Sequence, residues 1–138
     1  MELIEMNNLI KSTYDGIGLV NSVFNNDPYF IWNNNPSVKY TSFVFDVINV
    51  TIGEDIMTYT YRFHIGDRLL NDNVNYNEIY ESNYKIIESG INQLLKNDKI
   101  LSIGSNRNYT FLKQRFADVL AVSYCDVTIT TPKEFGNC

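Results

Sequence analysis

Histidine, cysteine, proline and tryptophan are scarce in this chain. Its 138 residues hold one histidine, two cysteines, three prolines and one tryptophan. Each shortage excludes something. With His64 as the single histidine and no CxxC pair, the usual zinc sites built from several Cys and His ligands cannot form, and neither a metal nor a cofactor is expected. Cys125 lies in a strand-like run and Cys138 at the last position, a placement that makes no disulfide framework. Cys125 reads as a small buried thiol. No apolar run approaches the roughly 18 residues of a membrane span. The start, Met1-Glu2-Leu3-Ile4-Glu5, is acidic where a signal peptide is basic. The expectation is a chain that folds in a reducing cytoplasm, with no membrane partner. Positive charge is also short: 11 Lys and Arg against 16 Asp and Glu give a formal charge of -5. That argues against sequence-independent nucleic-acid binding, which needs cations to neutralise phosphates. Neither a glycine-rich phosphate loop nor a nucleophile elbow is present.

What the chain does have is aromatic side chains and asparagine. Ten tyrosines and eight phenylalanines suit half-buried strands and also contact surfaces. Asparagine collects in connections such as Asn25-Asn26-Asp27-Pro28 and Asn33-Asn34-Asn35-Pro36, where its side chain tolerates turn geometry. The length suits a single domain over residues 1–138.

Apolar spacing predicts a helix over 2–24, with Leu3, Met6, Ile10, Ile17, Val20 and Phe24 on one face and a break or kink at Gly16 and Gly18. Residues 28–37 read as a loop carrying Tyr29, Phe30, Ile31 and Trp32, which either pin it to the core or form a docking surface. A strand is predicted over 38–52, with Phe43, Phe45 and Val47 on one face and Val44, Asp46, Ile48 and Val50 on the other. After the turn Gly53-Glu54-Asp55 comes a strand over 56–66. Met57, Tyr59, Tyr61, Phe63 and Ile65 form its apolar face; Thr58, Thr60, Arg62 and His64 form its polar one. The clearest helix covers 76–97, with Gly90 on its apolar face allowing close approach to the sheet. Residues 98–107 connect to strands over 108–115 and 119–131. The start of the last strand is apolar on both faces, as in a strand covered on both sides. The expected architecture is α+β: an antiparallel sheet of about four strands with two helices on one face, in helix-hairpin-helix-hairpin order.

Candidate chemistry centres on the junction from Asp67 to Asn75. Asn75 followed by Glu78 reads as a variant of the capping box. A cation held by Asp67, Asp72 and Glu78 does not match the spacing of an EF-hand loop. Asp67 and Arg68 could pair within the chain or across an interface, for which arginine's planar fork is suited. His64, near Arg62, has Asp46 and Ser42 on the preceding strand as the nearest catalytic company, without recognisable catalytic spacing.

Two features carry a resemblance to a family: the order of elements, and an aromatic strand ending in Asp67-Arg68-Leu69, followed by Asp72, Asn75 and a helix starting near Ile79 and Ser82. The chain resembles small structural proteins at the neck or tail top of tailed bacteriophages, known as tail-terminator, tail-completion or head–tail joining proteins. It looks like those from phages of Bacteroidetes hosts, and its asparagine, tyrosine and isoleucine bias resembles that of crAss-like phages. The resemblance implies a virion protein assembled in the host bacterial cytoplasm, with no enzymatic activity. It implies self-association into a six-fold or twelve-fold ring, contact with neck, portal or tail proteins, and DNA as passing cargo. Tyr29, Phe30, Trp32, Arg62, His64, Asp67 and Arg68 are the subunit-contact candidates. Two other readings stand beside it. One is a small module that binds a peptide by strand addition at the hairpin edge; the other is a minor enzyme using His64, Asp46 and Ser42.

Overall fold

A computed structural model describes residues 1–34, 37–68, 76–115 and 120–133. Three helices and six strands follow in the order α1 (Leu3–Gly16), β1 (Ser22–Asn25), α2 (Pro28–Asn34), β2 (Ser42–Ile52), β3 (Ile56–Arg68), α3 (Tyr76–Leu94), β4 (Ser102–Ile103), β5 (Thr110–Arg115) and β6 (Leu120–Pro132). The fold is a mixed α+β one, but the expected four strands and two helices are overturned by six strands and three helices. The additional elements come from three places, one of them the expected connection over 98–107, where Ser102–Ile103 pairs with β6 as β4. The helix predicted over 2–24 ends at Gly16, Gly18 takes a left-handed φ of 72° that glycine allows at low cost, and Ser22–Asn25 then pairs as β1. The aromatic stretch predicted as a loop over 28–37 coils into α2.

The sheet order is β1-β2-β3-β6-β4, with β5 also on β6. The parallel pair β1 and β2 is joined by α2, and the other pairings are antiparallel. β3 and β6 are paired along their full length, from Ile56 opposite Pro132 to Arg68 opposite Leu120. A register shift between Val47 and Asn49 leaves Ile48 without an opposite residue. It also reverses the faces beyond that point, because side chains alternate with period two. Val50, expected to share a face with Val44 and Asp46, therefore stands opposite Tyr59 on the inner one.

The inner face carries α1 and α3. Between them and the sheet lie Met6, Ile10 and Tyr14 of α1, Ile87, Ile91 and Leu94 of α3, and the strand aromatics Phe43, Phe45, Tyr59, Tyr61 and Phe63. The Tyr14 ring is stacked on Phe43 with centroids 3.8 Å apart and meets Phe63 edge-on at 5.7 Å. Its hydroxyl donates to the Ile87 carbonyl of α3 at 2.7 Å. Gly90 makes this possible: a Cβ there would lie 2.1 Å from Cζ of Tyr14. The close approach at Gly90 is thus to Tyr14 of α1, where the sequence suggested the sheet. Two more buried tyrosines tie the sheet to the first helix. Tyr59 donates to the Met1 carbonyl at 2.6 Å and Tyr61 to Oδ1 of Asn7 at 2.5 Å. Each hydroxyl finds a partner, so the rings are buried without stranding a polar group.

The outer face carries the short α2. Its Ile31 and Trp32 pack with Val44, Leu120 and Val122 in a second, smaller cluster. Leu120 and Val122 explain the doubly apolar start of the last strand: β6 is an inner strand of the sheet, with α2 above that end of it.

Gly90→Ala is expected to destabilise the fold by about 1–3 kcal/mol or more through overpacking. Tyr14→Phe should cost about 1 kcal/mol for the lost hydrogen bond. Urea denaturation followed by circular dichroism measures both. Gly90→Ala should cost much less in a Tyr14→Leu background, because the two residues share one space.

Candidate interaction surface

Alternation places Val44 and Asp46 of β2, Arg62, His64 and Arg68 of β3, and Tyr124 and Asp126 of β6 on the outer face. α2 lies over one end of this face. Pro28 opens α2, where a missing N–H costs nothing, and the Asp27 carboxylate accepts from the Tyr29 N–H at 2.8 Å. One helical turn then divides the four aromatic and apolar residues. Ile31 and Trp32 face the sheet, while Tyr29 and Phe30 are 65% and 57% exposed. Ile31 and Trp32 thus pin the segment to the sheet, and Tyr29 and Phe30 stay on the surface.

Trp32 is 2% exposed and belongs to the interior, so it is not available as a surface contact. Its indole N–H donates to Oγ of Ser42 at 3.1 Å. The ring rests over Gly66, where a Cβ would lie 3.0 Å from Cζ2. His64 is also buried, stacked on Tyr124 at 5.2 Å and edge-on to Trp32 at 6.2 Å. Its Nδ1 has no hydrogen-bond partner among the described residues. Burial, and next the charge of Arg62, push its pKa down to about 4. His64 stands opposite Val44, whereas Asp46 stands opposite Arg62 and Ser42 opposite Gly66. With Ser42 accepting from Trp32, these three side chains do not form a proton relay.

Arg62 grips the Asp126 carboxylate through Nε at 2.8 Å and Nη2 at 3.3 Å, with its guanidinium 5.3 Å from the centre of the Tyr124 ring. Both partners are half exposed, so the pair adds little stability. Asp67 and Arg68 are successive strand residues and project to opposite faces. The Asp67 carboxylate accepts from the backbone N–H of Arg68 at 2.9 Å, and the Arg68 guanidinium lies 4.9 Å from the centre of the Tyr40 ring. Arg62, His64 and Arg68 thus share one face with α2, and Asp67 turns away. The proposed cap at Asn75, and Leu69 and Asp72, lie outside the described residues.

A second polar constellation escaped the sequence reading. Arg107 donates to the Glu88 carboxylate of α3 through Nε at 2.7 Å and through Nη2, and to the Gly104 carbonyl at 2.6 Å. Tyr109 donates to the same carboxylate at 2.5 Å. The hydrogen bond from Arg107 holds Glu88 below the usual carboxylate range, against the opposing effect of burial. Burial, and next the bond to Glu88, push Tyr109 upward. Burial pushes the Cys125 thiol beneath them up to about 11, leaving it a poor nucleophile. The group borders an open groove of about 370 Å³ with Tyr84, Ser105 and Phe111. It fastens the β4–β5 connection to α3. No local spacing announces it, since Glu88 and Arg107 belong to separate elements.

Two exposed apolar regions complete the surface. β1 covers β2 only from Ser42 to Phe45, so the far half of β2 has no strand on that side among the described residues. Ile48, Ile52 and Ile56 are exposed at that half of the hairpin. On the far side of the sheet, Phe111 of β5 is exposed and stacked on Tyr80 of α3 at 4.6 Å, with Tyr76 beyond it. Among the described residues, no three His, Cys, Asp or Glu side chains gather to hold a metal, and no helix is long and apolar enough to cross a membrane. A scan of protein-family models gives no match, and a search of curated proteins gives none.

Replacing Arg107 by Met should cost about 1–3 kcal/mol, because it leaves the partly buried Glu88 carboxylate short of donors. Glu88→Gln with Arg107→Met should recover part of that loss in the same urea titration.

Proposed function

We propose that this chain is a virion structural protein that forms or decorates a ring at the head–tail junction or top of the tail of a bacteriophage, where it joins components and seals the DNA channel. The observation that carries this reading is the pair of unlike apolar surfaces on one domain. One has Tyr29 of α2 and Ile48 of β2 bordering a common groove, with Ile52 and Ile56 exposed farther along the β2–β3 hairpin. The other is the Phe111, Tyr80 and Tyr76 group at the β5–α3 side. β3 and β6 separate the two in the sheet. A closed ring of identical subunits needs this arrangement, because each heterologous contact joins one surface to a different one. The uncovered strand edge supplies backbone groups that a neighbour can pair. A subunit of net charge -5 lining a channel offers few fixed cations to hold passing DNA.

The same uncovered half of β2 also favours a second reading, in which the chain is a binding module that takes a partner peptide by strand addition. Mass separates the two. Native mass spectrometry of the purified chain, alone and mixed with its neck partners, should show ring stoichiometries. Phe30→Lys with Ile52→Lys should abolish them without changing the circular dichroism spectrum. A wild-type chain that remains monomeric in both samples and never enters particles counts against the ring.

A further inference from the structure

We propose that His64 is a proton-operated latch for α2: the helix stays docked on the sheet while the imidazole is neutral, and lifts when the imidazole gains a proton. The latch concerns α2 and the sheet within one subunit, and it stands independently of the ring.

The argument begins with position. His64 is 9% exposed, enclosed by Trp32 of α2 on its edge and Tyr124 of β6 on its face, and opposite Val44 of β2. Nδ1 is buried and has no partner among the described residues. Protonation adds a second N–H and a charge to this buried ring; the nearby Val44 carbonyl favours that form, but less than burial and the Arg62 charge oppose it. The carboxylates Asp126 and Asp27 compensate only in part. Arg62 is two residues along on the same face of β3 and is itself a cation. Asp126 of β6 is held in two hydrogen bonds by that same Arg62. Asp46 of β2 stands opposite Arg62, not opposite His64. Asp27, just before α2, accepts from the Tyr29 N–H.

α2 is the element best able to yield. It has seven residues and rests on a small cluster, Ile31 and Trp32 on Val44, Leu120 and Val122, separate from the main core. An open groove of about 230 Å³ runs beside it, lined by Tyr29, Asp46, Ile48, Arg62 and His64, so water reaches the margin of the imidazole site. Lifting α2 uncovers His64 and moves Tyr29 and Phe30 with it.

The sign follows from linkage. The docked pKa of about 4 lies below the ordinary value of 6.5, so the released form binds the proton more readily. Docking is fully stable above about pH 6.5 and weakens as pH falls towards 4, by at most roughly 300-fold, because Arg62 and Tyr124 stay beside the ring when α2 lifts.

Trp32 is the chain's single tryptophan and touches the latch, so its emission reads α2 directly. Between pH 7 and 4 the emission maximum should move to longer wavelength while far-UV circular dichroism stays constant. His64→Gln and His64→Phe should remove that titration. Arg62→Leu should move the midpoint, since it removes the neighbouring cation and releases Asp126. Emission that stays fixed down to pH 4 overturns the latch. So does an unchanged titration in a folded His64 variant, or in Arg62→Leu if neither His64 variant folds. Loss of circular dichroism in step with the emission change overturns it as well, since the whole fold is then responding.

Discussion

The inner half of this protein depends on the space above Gly90. Tyr14 enters it from α1, lies flat on Phe43, meets Phe63 edge-on and reaches across to a carbonyl of α3. One side chain thereby sets the spacing of both long helices and fixes them over the same aromatic strands. Tyr59 and Tyr61 repeat the device toward the start of α1. A tyrosine core of this kind gains area from its rings and direction from its hydroxyls, since each hydroxyl has to meet a specific acceptor. The tyrosine excess suits half-buried strands as well as contact surfaces, and in these three residues it is internal.

Elements with strong period were legible. The alternation from Met57 to Ile65 marked β3, and the spacing of Ile86, Ile87, Ile91 and Leu94 marked α3. Elements whose identity depends on a partner were not. Ser22–Asn25 is too short to have a period, and it is a strand because β2 lies beside it. The bulge at Ile48 is a property of the β2–β3 pairing, so the reversal of Val50 could not be seen in β2 alone. Pro28 to Trp32 was read as a loop because of its asparagines, although Asp27-Pro28 is a competent helix start. Of the proposed contact residues, Tyr29, Phe30, Arg62 and Arg68 are exposed and Asp67 is half-buried, while Trp32 and His64 are buried by an α2 contact that is tertiary and so not visible in the sequence.

The outer face is graded. Beneath α2 it is apolar, at Arg62 and Asp126 it is charged, and toward Thr58, Thr60, Thr128 and Thr130 it is uncharged and hydroxylated. The dry end buries His64 and the open end leaves the strands bare. This grading separates what α2 can influence from what a neighbour can touch along most of the sheet. The Glu88, Arg107 and Tyr109 group does comparable work at the opposite side, where a long connection would otherwise hang from α3.

The position of β6 has a consequence for how the chain is made. In sequence it follows every other strand, yet in the sheet it lies between β3 and the β4–β5 side. During synthesis the β2–β3 hairpin and both long helices therefore exist before the strand that completes their sheet. Until β6 arrives, the full length of β3 presents an open, aromatic-flanked edge to its surroundings. Folding must close a long loop to seal it, which makes closure slow and the growing chain dependent on protection from its own copies.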